Sequence, residues 1–462
     1  MSIPRYAGFK NQSEGKYLQY LPEGHLKGNL QYSSNIVVSL LTKFALEPAK
    51  KSRYWHIRCC YNNKYLASSN DHNRLVTPSV SKPTEDESSH PCTLFNIVPG
   101  PTPGTYYLVD VLLQTYVCRC TTSKIHQNCL TTRYDVIEKH SDKLHMFTDF
   151  ENFIVLPKHV AFKGDNGLFL AAFWYNDWPY LQFNSDDIGS PWVGNEVFNV
   201  GDGTIRIKND YFNKFWIRNP NWILADTDDT TANDKNTLFW PVKISKNKVA
   251  LRSLGNDMYC RRYTADGKVD CLNSRVPSII KEAEFEIVEP IISREIYNCK
   301  YRTMDARVYD ETIVTMAIEE AVNGSTKEAT MALSFKYTEE RTKSWESVLS
   351  MSMNVKTSVT AGIPEIAQAG IEINLHFDAS YTWGETISET KEVTETYTVT
   401  VPEKTRMKVT LLATKAKTDV PFSYTRRDVL RNGKRVTTEC DDGLFVGANT
   451  YKVVYENKAL PL

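Results

Sequence analysis

Apolar side chains recur along this chain in short runs with a period of two, and long runs with a helical period are scarce. The runs are cut by Asn, Asp, Gly and Pro, the residues that supply tight turns. Such a pattern predicts an all-β architecture. Superposed on it is a repeat of about 150 residues. Phe9-Lys10, Gly15-Lys16-Tyr17-Leu18 and Leu30-Gln31-Tyr32 return as Phe162-Lys163, Gly167-Leu168-Phe169-Leu170 and Leu181-Gln182-Phe183. Tyr61-Asn62-Asn63-Lys64-Tyr65-Leu66 returns as Tyr211-Phe212-Asn213-Lys214-Phe215-Trp216, and Thr93-Leu94-Phe95 as Thr237-Leu238-Phe239. Matches in the same order imply a duplicated domain.

Each copy carries a threefold beat, in which an aromatic is followed 24–31 positions later by a closing Phe. The pairs are Tyr17 with Phe44, Tyr65 with Phe95 and Tyr116 with Phe147, then Phe169 with Phe198, Phe215 with Phe239 and Tyr259 with Phe285. A β unit this small cannot bury a core alone. Three of them close into a barrel that leaves no free edge, with the aromatics expected to fill a shared centre. The expected organisation is two tandem β-trefoils, over 1–148 and 158–290, joined by a linker at 149–157 that reads as one helical turn. After Pro290, Thr, Ser and Glu become more frequent, the aromatic beat stops, and long charge-interleaved β runs such as 386–401 (TISETKEVTETYTVTV) begin. Residues 291–462 therefore read as an elongated antiparallel β domain.

One segment of that domain alternates without a break. In 349–361 (LSMSMNVKTSVTA), Leu349, Met351, Met353, Val355, Thr357, Val359 and Ala361 share a face, and the even positions are polar. In 371–383 (IEINLHFDASYTW), Ile371, Ile373, Leu375, Phe377, Ala379, Tyr381 and Trp383 share the other strand's apolar face. Between them, 362–370 (GIPEIAQAG) reads as an apolar turn carrying Ile363, Pro364 and Ile366. A membrane-crossing β-strand needs roughly 9–11 residues with lipid-facing and lumen-facing side chains in alternation, and both runs of 13 qualify. One hairpin cannot satisfy its edges in lipid, so insertion demands copies from other chains. Tyr381 and Trp383 suit an interfacial girdle. The competing expectation is a half-buried hairpin on a soluble sheet, and the two describe successive states of one protein if the hairpin can move.

Composition narrows the field. Lys plus Arg and Asp plus Glu both number 55, which removes the basic field that nucleic acid requires. No run nears the roughly 18 apolar residues of a membrane helix. The opening MSIPRYAGFK has no apolar signal core, so a cytoplasmic site of synthesis and reduced thiols are expected for the ten cysteines. Cys118 and Cys120 are one residue apart, unlike a structural zinc pair, and no metal or other cofactor is expected. Sequence signatures of nucleotide, hydrolase and metalloprotease sites are absent, and the acidic pairs Asp186-Asp187, Asp228-Asp229 and Asp441-Asp442 read as turn formers. The expectation is a binding protein with no catalytic residues.

The first 290 residues resemble the amaranthin-like plant agglutinins, through GKYLQY, LTKFALEP, YNNKYL and CTLFNIV in the first domain. In the second domain the resemblance rests on VAFKGDNGLFL, PYLQF, GTIRIKNDYFNKFW, NWILADTDD and FEIVEP. It implies galactose- or N-acetylgalactosamine-type specificity, including the T-antigen disaccharide, a soluble dimer and a role in plant defence or stress. The family's sugar loop is similar to Asn-His-Tyr-Trp, whereas His72-Asn73-Arg74-Leu75 stands here without the stacking rings. His72, Asn73 and Arg74 are thus one candidate sugar site, with a solvated loop as the alternative. A second lies in the other trefoil, where Phe173-Trp174-Tyr175-Asn176-Asp177-Trp178 sets rings beside polar groups and Asn219-Pro220-Asn221-Trp222 is the internal equivalent of the first loop. The tail resembles the aerolysin and natterin-like pore formers through SVTAGIPEIAQAGIEINLHF and SYTWGET. That resemblance implies oligomerisation into a ring and conversion of the hairpin at 349–383 into a membrane barrel. A non-perforating defence or storage agglutinin, whose tail only mediates assembly, is the alternative.

Overall fold

The computed structural model describes residues 3–50, 53–132, 140–229, 231, 234–349 and 355–462. It is built almost wholly of strands, divided between two compact units.

The first unit holds two closed rings of six strands. In the first ring, Tyr6–Asn11 pairs with Phe44–Pro48 on one side and Leu144–Asp149 on the other. Trp55–Cys59, Leu94–Pro99 and Thr105–Asp110 complete the circle. The hairpins Tyr17–Tyr20/Leu30–Ser34, Tyr65–Ser68/Val76–Val80 and Cys118–Arg119/Leu130–Thr131 cap it. The second ring runs His159–Lys163, Asn195–Asn199, Ile205–Asn209, Phe239–Lys243, Lys248–Ser253 and Phe285–Val288, back to the first. Its caps are Phe169–Tyr175/Trp178–Ser185, Lys214–Asn219/Trp222–Thr227 and Met258–Ala265/Lys268–Val276. Six-stranded rings with three capping hairpins are β-trefoils, and closure leaves no ring strand with an unpaired edge.

The aromatic beat needs a correction of one residue. Most of the leading aromatics do not fill the centre; the next residue does. Leu18, Leu66 and Val117 join the first core, and Leu170, Trp216 and Cys260 the second. At five of these six places the ladder slips by a β-bulge between the aromatic and its successor, at Tyr17/Leu18, Tyr65/Leu66, Phe169/Leu170, Phe215/Trp216 and Tyr259/Cys260. A bulge puts two residues opposite one and swings the strand, so each hairpin folds over the barrel mouth at that point. Among the closing residues, Phe44, Phe95, Phe239 and Phe285 are core, whereas Phe198 is half-buried and its neighbour Val197 points inward.

The two trefoils adjoin through a short connection. Asp149 caps a single 3₁₀ turn, Phe150–Asn152, by accepting the Glu151 N–H at 2.9 Å. Phe153 then packs on Trp240 at 6.0 Å. The Val37 N–H donates to the carbonyl of Gly201 at 2.8 Å. Gly201 has φ +105° and lies against Ile36, so a larger residue there is strained and crowded at once.

The second unit is an eight-stranded sheet ordered Gly370–Thr382, Lys356–Ala367, Ile291–Tyr301, Thr405–Leu430, Arg435–Pro461, Ala329–Ser347 and Ile387–Val401, with Arg307–Asn323 also paired to Thr405–Leu430. Of the described residues from 291 onward, 291–294, 348–349, 355 and 428–436 pack with the first unit. A buried ion triad ties Arg294 and Asp428 to Glu289 within that unit. Arg294 binds Asp428 at 2.7 and 3.0 Å and Glu289 at 2.6 and 3.2 Å, all three side chains being nearly buried.

Candidate glycan-binding and membrane-insertion sites

In the first trefoil, His72, Asn73 and Arg74 lie on a turn organised by Asp71, whose carboxylate accepts from Ser69 Oγ at 2.6 Å and from the N–H groups of Asn73 and Arg74 at 3.1 and 3.0 Å. Those donors, the Ser69 hydroxyl foremost, hold the Asp71 carboxyl below its usual range. The turn is stapled down by Thr131, whose hydroxyl donates to the carbonyls of Asn73 and Arg74 at 3.0 Å. His72 and Asn73 are exposed on a fixed turn, with Arg74 half-buried in a left-handed conformation at φ +46°.

In the second trefoil the three capping hairpins place Trp178, Trp222 and Lys268 at equivalent positions, each opening the returning strand. Trp178 follows the turn residues Asn176 and Asp177, at φ +47° and +63°, and is 48% exposed. Trp222, also a candidate, is only 7% exposed. Its ring packs against Tyr180 at 6.1 Å and Tyr263 at 5.8 Å. The Lys268 ammonium lies 5.2 Å from the Trp222 ring and also over Tyr175 and Tyr180, at 5.1 and 5.5 Å. Asn219 and Asn221 are exposed at the preceding turn, with the Asn221 carbonyl accepting the Ser274 N–H at 2.7 Å. The sequence reading therefore put exposed Trp178 and buried Trp222 in one class.

A more open site on the same trefoil was only half visible in sequence. Trp174, 53% exposed, and Trp192 wall a dish of about 490 Å³ whose rim carries Asn184, Ser185, Asp186 and Ser190. Trp192 stacks on Tyr211 with centroids 3.8 Å apart, and Trp174 meets Phe212 edge-on at 5.0 Å. Trp192 and Tyr211 lie 19 positions apart in different units of the repeat, so no local pattern joins them.

In the second unit the hairpin is present, with different limits from those read in sequence. Its strands are Lys356–Ala367 and Gly370–Thr382, with Val359 opposite Ala379 and Ile366 opposite Ile371. Leu349 precedes the strand, and Met351 and Met353 lie outside the described residues. Val355 is not in a strand and packs against the second trefoil's core. The stretch 362–370 is not an apolar turn: the turn is Gln368 and Ala369, and Ile363, Pro364 and Ile366 are buried strand residues. A bulge between Ile363 and Pro364 shifts the phase, which lets Ile363, Pro364 and Ile366 all face inward. Burial of these residues, which no alternation rule encodes, carries the strand through the segment.

One face of the hairpin is docked. Val359, Ala361, Ile363, Tyr381 and Trp383 join Trp345, Val420, Phe422, Tyr424 and Phe445 in a core cluster, with Ile371 and Phe377 at its margin. Ile373 and Leu375 on the outer strand stay exposed, Leu375 by 47%. Polar clamps complete the docking. The Asn449 side-chain amide accepts from the Ile366 N–H and donates to the Ile366 carbonyl, both at 3.0 Å. Arg341 holds Glu365 at 2.7 Å, and Tyr301 donates to the Gly362 carbonyl at 2.7 Å. Beside Asn449 lies a cavity of about 40 Å³, room for ordered water. The hairpin falls in sequence between Ala329–Ser347 and Ile387–Val401, which pair with each other from Ala329↔Val401 to Lys343↔Ile387.

Natterin-1 of Thalassophryne nattereri is 28% identical over 151 residues, or 32% of this chain and 42% of that protein, so the chain spans under half the length of this relative. The crystal structure of a lamprey immune protein aligns over 66% of this chain and 91% of its own, at 16% identity and a TM-score of 0.32. That of the hemolytic lectin CEL-III aligns over 99% and 95%, at 9% identity and the same TM-score, 0.32. The agglutinin domain model matches residues 1–148 and again 154–292, one match for each closed ring and together more than half of the sequence, and the chain therefore belongs to the agglutinin domain family.

Proposed function

We propose that the protein is a non-catalytic lectin that docks on glycosylated membranes through its trefoils and then opens them by oligomerising into a β-barrel pore. The observation that carries this reading is the hairpin Lys356–Ala367/Gly370–Thr382, an amphipathic pair joined at both ends to a long paired ladder and held down by side-chain clamps rather than by a covalent link. Such a hairpin can leave one packing and enter another, and several copies together close the edges that lipid forbids. The resemblance to amaranthin-like agglutinins favours galactose or N-acetylgalactosamine-type glycans, a soluble dimer and a defence role. Synthesis in the cytoplasm, with the cysteines reduced, is part of the same proposal.

The test is dye release from liposomes with and without a galactose-terminated glycolipid, read beside agglutination of cells bearing the same glycan. Glycolipid-dependent release with ring-sized oligomers supports the pore. Agglutination without release, from folded protein, assigns the tail to assembly alone.

A further inference from the structure

We propose that the dish between the hairpin Phe169–Tyr175/Trp178–Ser185 and the following loop binds a neutral pyranoside, and that its uncompensated carboxylate excludes acidic sugars. The proposal rests on the lectin reading and gives it a place and a ligand class.

The stacking surface is prepared before any ligand arrives. Tyr211 lies under Trp192 at 3.8 Å and 24°, and Phe212 braces Trp174 at 5.0 Å and 84°. Tyr211 and Phe212 meet each other at 5.5 Å, so the two walls share one support. The Trp192 backbone is fixed as well, its carbonyl accepting the Ala172 N–H at 2.8 Å. Rings held this way lose little freedom on binding, and an indole face left open to water suits the C–H face of a sugar ring.

The rim selects charge. Asp186 is exposed and, among the described residues, has no cation paired with it; the dish is lined by no Lys, Arg or His. Asn184 donates its amide to Gln182 Oε1 at 2.6 Å, which leaves its oxygen as an acceptor. A carboxylate and an amide oxygen beside aromatic walls call for a ligand with several hydroxyl donors and an apolar face, which is a pyranose. A sialyl carboxylate or a sulfate brought to the same rim meets like charge with no partner to offset it.

The experiment titrates the full-length protein with lactose and with 3′-sialyllactose by calorimetry, alongside a glycan array. Wild type is expected to bind lactose at least about tenfold more tightly than its sialylated form. Trp192→Ala and Trp174→Ala should each weaken lactose binding about tenfold or more. Asp186→Asn should weaken lactose and shrink the neutral-to-acidic ratio severalfold. Should Trp192→Ala lose its circular dichroism signal, the two exposed positions, Trp174 and Asp186, decide the matter. Wild-type lactose affinity in Trp174→Ala and Asp186→Asn overturns this site and leaves the lectin reading standing. Binding only to acidic glycans overturns the ligand class. Binding to no glycan on the array overturns the site and the lectin reading together.

Discussion

His145 is fully buried in the first trefoil, between the Tyr32 hydroxyl at 2.5 Å from Nδ1 and the Val117 carbonyl at 3.0 Å from Nε2. A carbonyl can only accept, so Nε2 carries the proton and Nδ1 accepts from the tyrosine. Burial pushes the His145 pKa down to about 4, while the unfolded chain titrates near about 6.5. Below about 6.5 the unfolded state binds the extra proton first, so the stability His145 contributes is complete above that pH and is lost as pH falls towards 4, at about 1.4 kcal/mol per unit. Thermal melts from pH 7 to 4 should show that loss, and His145→Gln should flatten it; parallel curves would remove His145 as the cause. Arg294 raises a different issue, because both its carboxylate partners are buried with it. Asp428→Asn leaves a buried guanidinium with half its compensation and should cost about 3 kcal/mol, read from denaturant midpoints. A change within the error of the wild-type midpoint would mean that water already reaches the triad.

At the scale of elements, register is the quantity to test. The ladder from Ala329↔Val401 to Lys343↔Ile387 has one fixed offset, and the hairpin, from Lys356↔Thr382, has another. If the outer ladder zips onward unbroken, Ser358 comes opposite Glu372, whereas in the docked hairpin it faces Ser380. Up to Ile363↔Leu375 odd positions face odd positions in both registers, so that part of the apolar face survives the change, whereas Pro364 and Ile366, turned inward by the bulge, return to the other face. The pair Ser358→Cys with Ser380→Cys should lock the docked form and block dye release until reduced. Ser358→Cys with Glu372→Cys should cross-link only on membranes; cross-linking in solution would argue against the re-registered hairpin. Leu375→Lys separates folding from insertion. The side chain is already exposed, so the soluble protein should melt normally, yet a lysine on the lipid face costs about 2–4 kcal/mol per subunit. Release should fall sharply for Leu375→Lys and persist for His376→Lys on the polar face. Equal release from both would end the barrel assignment.

For the molecule as a whole, the first unit is not a simple N-terminal fragment. A protein cut at residue 290 keeps both closed rings but loses Arg294, Asp428 and Val355 from its surroundings, and leaves Glu289 without its guanidinium. It should fold, by circular dichroism, and melt several degrees below the trefoil transition of the full chain, at about 2–4 °C per kcal/mol. Identical melts would show that Val355, Arg294 and 428–436 contribute nothing. Sequence alone determined the all-β class, the duplication, the threefold beat and the presence of an amphipathic hairpin, because each is a local period that backbone geometry turns directly into strands and turns. It also marked Trp174 and Trp178 as candidate rings. Tertiary structure decided the rest. Whether Tyr17 or Leu18 enters the core depends on a bulge, whether Trp222 is free depends on Lys268 from another hairpin, and the path of 362–370 depends on a core that draws Ile363, Pro364 and Ile366 inward. Alternation says which side chains share a face. Only the packing of distant strands says what that face meets.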